Sequence, residues 1–104
     1  MIKFTVLYPY SEGSRFDHDY YKAKHVPMAQ EKMSSVRYEI ERGVSGPAPG
    51  SSPAFHALVH FYFNSLDEFY AALAKGGADL GADVPNYTDV GPVIQVSEVV
   101  GSWG

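Results

Sequence analysis

Cysteine is absent from this 104-residue chain, which removes disulfides, thiolate nucleophiles and cysteine metal sites together. Positive charge is scarce: eight Lys and Arg stand against twelve Asp and Glu, a formal net charge of −4. No basic patch is available to follow a phosphate backbone, so nucleic acid is not expected as a partner. Long apolar runs are missing, and no stretch is expected to span a bilayer. Ile2 opens an alternating pattern rather than a basic leader ahead of a hydrophobic segment, so no signal peptide and a cytoplasmic location are expected. Phosphate loop, nucleophile elbow and dinucleotide fingerprint are all lacking. The length allows one domain, residues 1–104, which can close a core without disulfide or metal. What the chain has in excess is aromatic side chains, eight Tyr and six Phe, more than a minimal core of this size requires.

The first strand is read over Met1 to Pro9, where Ile2, Phe4, Val6 and Tyr8 alternate with Lys3, Thr5 and Leu7. Tyr10 to Arg15 is a loop. Asp17 is placed to cap a helix, and Phe16 with Tyr21 has the spacing of a hydrophobic staple. His18, Tyr21, His25 and Met28 share one side of that helix. Pro27 is expected to end or kink it at Val26, with a second turn restarting through Met28, Ala29 and Met33. Ser34 to Val44 alternates as a strand near an edge, with Arg37, Glu39 and Glu41 as its wet side. Gly43 to Pro53 holds three Gly, three Ser and three Pro and reads as a mobile connection. Ala54 to Phe63 is a strand with two largely apolar rows, Phe55, Ala57, Val59, Phe61 and Phe63 on one and His56, Leu58, His60 and Tyr62 on the other. Ser65-Leu66-Asp67-Glu68 is a capping box, followed by Leu66, Phe69, Tyr70 and Leu73 at helical spacing and by Gly76-Gly77 as the stop. Ala78 to Asp89 has room for one more helical turn. Gly91 to Val100 is the last strand, and Trp103 lies in a short tail.

The order β-α-β-β-α-β predicts an α+β, ferredoxin-like fold: a four-stranded antiparallel sheet with two helices on one face. The other sheet face is left open, and two strands are too apolar on both sides for that face to meet water. A homodimer packed sheet to sheet answers this, enclosing a barrel-like space lined by His56, Leu58, His60 and Tyr62.

Three stretches, MIKFTVLYP, FDHDYYKAKHVPM and VPNYTDVGPVIQVSEV, together resemble the EthD family, named for ethyl tert-butyl ether degradation, within the dimeric α/β barrel superfamily. Phe16-Asp17, Tyr20-Tyr21 and His25-Val26-Pro27 match the family's helix pattern, and Asn86-Tyr87-Thr88-Asp89 its approach to the last strand. The resemblance implies the ferredoxin-like fold, a homodimer, and an association with oxidative degradation of xenobiotic or aromatic compounds.

Among candidate site residues, His25 matches the family's His-x-Pro position; an imidazole at a helix end serves as general acid or base near neutral pH. Its structural alternative is to satisfy loose carbonyls where Pro27 breaks the helix. His60 is paired with it as a second catalytic candidate. His56 and His60 lie about 13 Å apart along a strand, too far to chelate one metal, so no metal is expected; hydrogen bonding to a ligand is their functional reading, and pairing with backbone or a symmetry mate the structural one. Leu58, Tyr62, Tyr38 and Tyr8 complete the expected ligand-binding set, although strand aromatics are first of all sheet packing. His18 reads as structural. The function expected is binding of a small hydrophobic, oxygen-bearing ligand in a dimer-enclosed pocket, with histidine-assisted proton transfer of oxidoreductase or isomerase type and no cofactor. The alternative is a non-catalytic accessory that sequesters a metabolite for an oxygenase pathway. A haem protein using His25, His56 or His60 as axial ligand is a third reading, for which the short chain leaves little room.

Overall fold

The computed structural model describes all 104 residues. Four strands, β1 (Ile2–Pro9), β2 (Arg37–Arg42), β3 (Phe55–Phe63) and β4 (Val93–Glu98), form one sheet in the order β2-β3-β1-β4, with every neighbour antiparallel. The first helix follows β1 and the second joins β3 to β4, which is the ferredoxin-like βαββαβ arrangement. Alternation decides the faces. Ile2, Phe4, Val6 and Tyr8 of β1 and Ala57, Val59, Phe61 and Phe63 of β3 point toward the helices and are buried with Tyr21, Val26, Ala29, Met33, Phe69 and Ala72.

The first helix (residues 18–33) is one continuous run of three parts: an α turn His18–Tyr20, a π-helical turn Tyr21–His25 and an α-helix Val26–Met33. Asp17 caps it, its carboxylate accepting from the Tyr20 N–H at 3.0 Å, and the Phe16 and Tyr21 rings meet at 5.1 Å as a staple does. Pro27 does not end the helix, but the expected restart is present as a separate α segment that begins at Val26. Pro27 falls in the first turn of the Val26–Met33 segment, and the wider π turn ahead of it absorbs the donor that proline lacks. Ser34 closes the helix in a left-handed conformation, φ 53°.

The second helix (Leu66–Asp83) runs through Gly76-Gly77, where a stop was expected, and a 3₁₀ turn, Val84–Asn86, follows it. Ser65 does cap it, accepting from the Glu68 N–H at 3.2 Å, while Glu68 reaches back to Asn64 rather than to Ser65 itself. Gly76 stays helical because the two helices touch there: a Cβ on it falls 2.9 Å from Lys32 Cβ. Gly76→Val is therefore expected to cost about 2 kcal/mol by forcing the helices apart, despite the better helix propensity of valine. A urea midpoint equal to the parent's contradicts that contact.

The outer sheet face is less open than the sequence suggests. Glu39 and Glu41 of β2, expected as a plain solvated row, reach diagonally over β3: Tyr62 Oη donates to Glu39 at 2.9 Å, and Glu41 lies 2.9 Å from His60 Nε2. The Arg37 guanidinium sits 3.8 Å above the Tyr62 ring. His60 and Tyr62 are both buried in this way by the chain's own side chains.

Candidate functional site

A cavity of about 130 Å³ lies between the sheet and the two helices. Phe4, Val6, Val59 and Phe61 form its floor, Ala29 and the second helix its walls. Its mouth lies where Leu73 and Ile94 are 37% and 59% exposed, between the second helix and the edge strand β4. Gly77 and Gly81 keep that wall low; a Cβ on Gly81 meets nothing within 4 Å. Tyr8, Tyr21 and His25 are the lining residues with polar side chains.

Those three belong to a hydrogen-bonded chain. His25 Nδ1 lies 2.8 Å from Asp83 Oδ2, and Asp83 Oδ1 accepts from Tyr20 Oη and Asn86 Nδ2, each at 2.8 Å. On its other side His25 Nε2 is 3.3 Å from Tyr87 Oη, which is 2.6 Å from Tyr8 Oη. Burial opposes the charge on Asp83, but the donors from Asn86, His25 and Tyr20 outweigh it and hold the carboxyl below the usual range. Burial pushes His25 below an ordinary imidazole, and Asp83 only partly compensates. The site at neutral pH is thus carboxylate beside neutral imidazole. An ionised Asp83 can only accept, so Nδ1 carries the ring proton and Nε2 accepts from Tyr87. Burial drives the Tyr8, Tyr21 and Tyr87 hydroxyls well above a free phenol, so all three remain protonated. Tyr21 Oη is buried with no hydrogen-bond partner within 3.5 Å, its nearest polar company being the Tyr8 hydroxyl, a state rare for a hydroxyl.

Local sequence explains why these groups converge. The Asp17 N–H donates to the Tyr87 carbonyl at 2.8 Å, Thr88 Oγ1 to the Arg15 carbonyl at 2.6 Å, and the Arg15 N–H to Asp89 at 2.8 Å. The segment after the second helix is thereby stitched to the start of the first, and the Tyr87 ring is set 4.5 Å from His25 and 5.0 Å from Tyr21. Within the π turn Tyr21 and His25 stack at 5.4 Å, both facing the cavity.

The pH dependence of stability follows. Between the folded value of His25 and the ordinary value of about 6.5, the unfolded chain binds a proton that the native chain refuses, so stability falls as pH drops through that window. His18, held low first of all by partial burial, acts in the same direction. Asp83 adds a separate loss below about pH 4, where the unfolded carboxyl protonates first. Urea midpoints should therefore decline from pH 8 to pH 5, and His25→Gln should flatten part of the decline; a flat parental profile contradicts the neutral buried imidazole.

Of the residues expected from the sequence, His25 and Tyr8 line the cavity. His60, Leu58 and Tyr62 stand on the opposite sheet face, with His60 Nδ1 held 2.9 Å from Thr5 Oγ1. His25 and His60 therefore share no pocket. His56 does not stand in line with His60: the β1–β3 register slips between Tyr8 and Pro9, leaving His56 over. Its ring stacks on Phe16 at 5.6 Å and its Nε2 lies 2.7 Å from Ser14 Oγ. Tyr38 packs on Phe61 at 5.8 Å, outside the cavity lining. Asp83 was not expected from the sequence at all; Tyr20 and Tyr87 were expected only as parts of the family pattern, and Tyr21 as a staple on the His25 side of the helix and not as a site residue. The available signal was spacing: Asp83 and Tyr87 are four apart at a helix end, as Tyr21 and His25 are.

The EthD domain pattern matches residues 12–91, which contain every polar member of this chain of contacts except Tyr8. The chain belongs to the EthD family. An EthD-like protein from Ralstonia eutropha JMP134 is 45% identical, superposes with a TM-score of 0.91, and is covered over 98% of this chain and 94% of its own. An EthD family protein from Bacillus halodurans C-125 shares the fold at 18% identity and a TM-score of 0.72, over 94% of this chain and 97% of that one. An uncharacterized 11.0 kDa protein of Rhodococcus erythropolis, from the thcB–thcC intergenic region, is 32% identical over 93 residues, 88% of this chain and 87% of that protein. No helix of the EthD chain is long and apolar enough to cross a membrane.

Proposed function

We propose that this EthD protein binds a small, neutral, mostly apolar molecule bearing oxygen in the cavity beneath its helices, and that His25 moves a proton there. The observation that carries the reading is the unpartnered, buried Tyr21 hydroxyl beside an Asp83–His25 pair in an otherwise apolar chamber. The volume is close to that of an engineered cavity of about 150 Å³ that takes up benzene, so a single ring is the natural occupant. Ligands that must enter already charged are disfavoured, because the lining presents only neutral polar groups and apolar walls. Family membership supports a place among oxidative degradation of xenobiotic or aromatic compounds, of the oxidoreductase or isomerase type. The chamber lies on the helix side of the sheet, so it needs no second chain to enclose it, unlike the dimer-enclosed pocket expected from the sequence. Single-ring phenols, ketones and lactones are the compounds to screen by thermal shift. A ligand at a hundred times its Kd adds about 2.7 kcal/mol, a rise of roughly 10–20 °C for a domain of this size; the same rise in His25→Gln, with turnover intact, removes histidine from the chemistry.

One observation favours the accessory reading. His25 Nε2 is already engaged by Tyr87 at 3.3 Å, which leaves Tyr21 as the one unpaired polar group and suits recognition without reaction. A stabilising ligand recovered unchanged supports it. A homodimer through the outer sheet face is part of the same proposal, supported by the exposed apolar side chains of Val93 on β4 and of Val99, Val100 and Trp103 in the segment that follows it. Sedimentation showing a monomer at micromolar concentration rejects it.

A further inference from the structure

We infer that the occupant is a phenol, whose proton is passed to His25 not by direct contact but through the hydroxyls of Tyr8 and Tyr87. This rests on the cavity being a binding site, and it follows from the polarity of the hydrogen-bond chain.

Asp83 accepts from Asn86, Tyr20 and His25, and that fixes every donor behind it. His25 Nε2 must accept from Tyr87, and Tyr87 Oη, having given its proton toward His25, must accept from Tyr8. Tyr8 then has no proton left to offer the cavity it lines. It presents lone pairs, and the group best suited to meet them is an O–H donor. Tyr21 Oη, unpartnered on the same lining, is free to donate to the oxygen of that O–H. A hydroxyl satisfies both at once, donating to Tyr8 and accepting from Tyr21. A ketone or ether meets Tyr21 but brings Tyr8 no donor of its own, leaving it only the more distant Tyr21 hydroxyl.

The same chain gives the step. The ligand O–H bond breaks and its proton goes to Tyr8 Oη; the Tyr8 proton moves to Tyr87 Oη, and the Tyr87 proton to His25 Nε2. Each tyrosine gains one proton and loses one, no electrons change hands, and the result is a phenolate facing the Tyr21 hydroxyl and an imidazolium paired with Asp83. Because Tyr8 and Tyr87 are driven above a free phenol by burial, neither rests as a tyrosinate. Because burial holds His25 low, simple phenols transfer uphill, and phenols acidified by an electron-withdrawing substituent are the ones matched to the site. An alcohol has the right hydrogen-bond pattern but is too weak an acid for the transfer.

The test uses the full-length protein and 4-nitrophenol, whose anion absorbs in the visible and whose neutral form does not, at a pH where the free compound is mostly protonated. Saturable binding with growth of the anion band is expected, the Tyr21 hydroxyl donating to the phenolate and Asp83 holding the imidazolium, which offsets the low proton affinity of His25. Tyr8→Phe and Tyr87→Phe should each bind within a few-fold of the parent yet show the neutral spectrum, with near-ultraviolet circular dichroism confirming that they fold. Tyr21→Phe should weaken binding about tenfold, and 4-nitroanisole, which has no proton to give, should bind at least tenfold more weakly than 4-nitrophenol. Tight binding of 4-nitrophenol with a neutral spectrum, or an anion band that survives in folded Tyr87→Phe, overturns the relay while leaving the cavity as a site. No saturable binding of either compound overturns the relay and the proposed binding site together.

Discussion

Replacing Tyr87 with alanine is expected to destabilise the EthD chain by about 3–5 kcal/mol, a large part of the roughly 5–15 kcal/mol that holds a domain of this size together. The ring is fully buried and packs against Tyr8 at 5.7 Å, Phe16 at 5.6 Å, Tyr20 at 6.1 Å, Tyr21 at 5.0 Å and His25 at 4.5 Å. Its loss opens a void in the middle of an aromatic cluster whose members come from β1, the first helix and the loop before it, none of which can move in to fill it without breaking strand or helix hydrogen bonds. Its hydroxyl adds a second penalty, since His25 Nε2 and Tyr8 Oη lose their shared partner. Tyr87→Phe separates the two effects: the ring stays, and the cost should fall to about 1–3 kcal/mol. Chemical denaturation of both variants decides it, and equal midpoints for alanine and phenylalanine mean that the ring is not what holds the cluster.

Gly81→Leu should do the reverse, abolishing ligand binding without weakening the fold. Gly81 sits near the end of the second helix at the cavity mouth, with nothing within 4 Å of an added Cβ. The Cβ of a leucine there meets no clash and the residue gains about 1 kcal/mol of helix propensity, so the melting temperature should hold or rise by a few degrees. Its side chain occupies the entrance between Leu80 and Ile94, and a single-ring ligand that stabilises the parent should lose a hundredfold or more in affinity. Such a variant that still binds places the ligand elsewhere. Unfolding means instead that the glycine serves packing.

Strand alternation, the Asp17 and Ser65 caps and the Phe16–Tyr21 staple were legible in the sequence because each is a local rule between residues a few positions apart. The stop at Gly76 was misread and the break at Pro27 was foreseen without its form, because both residues are helix breakers only when nothing else intervenes: a π turn accommodates the proline, and contact with Lys32 requires the glycine. The site was legible only by halves. His25 stood out for want of a structural explanation, but its partner Asp83 is 58 positions away and Tyr87 is 62, and no periodicity links them. His60 misled for a related reason. Its row on β3 looked open to a ligand, because the diagonal reach of Glu39 and Glu41 from the neighbouring strand is invisible in either strand alone.

The π turn at Tyr21–His25 also has a consequence for how this chain lines up with others. It behaves as one inserted residue within an α-helix, so a relative with an uninterrupted helix would show a single-position gap between Tyr21 and Pro27. Closing that gap by deleting Ala23, which is exposed, would turn everything ahead of it by about 100° around the helix axis. Tyr21 would leave the chamber while His25 kept its place on Asp83, and the protein would retain its acid–base pair but lose the hydroxyl that recognises what it acts upon.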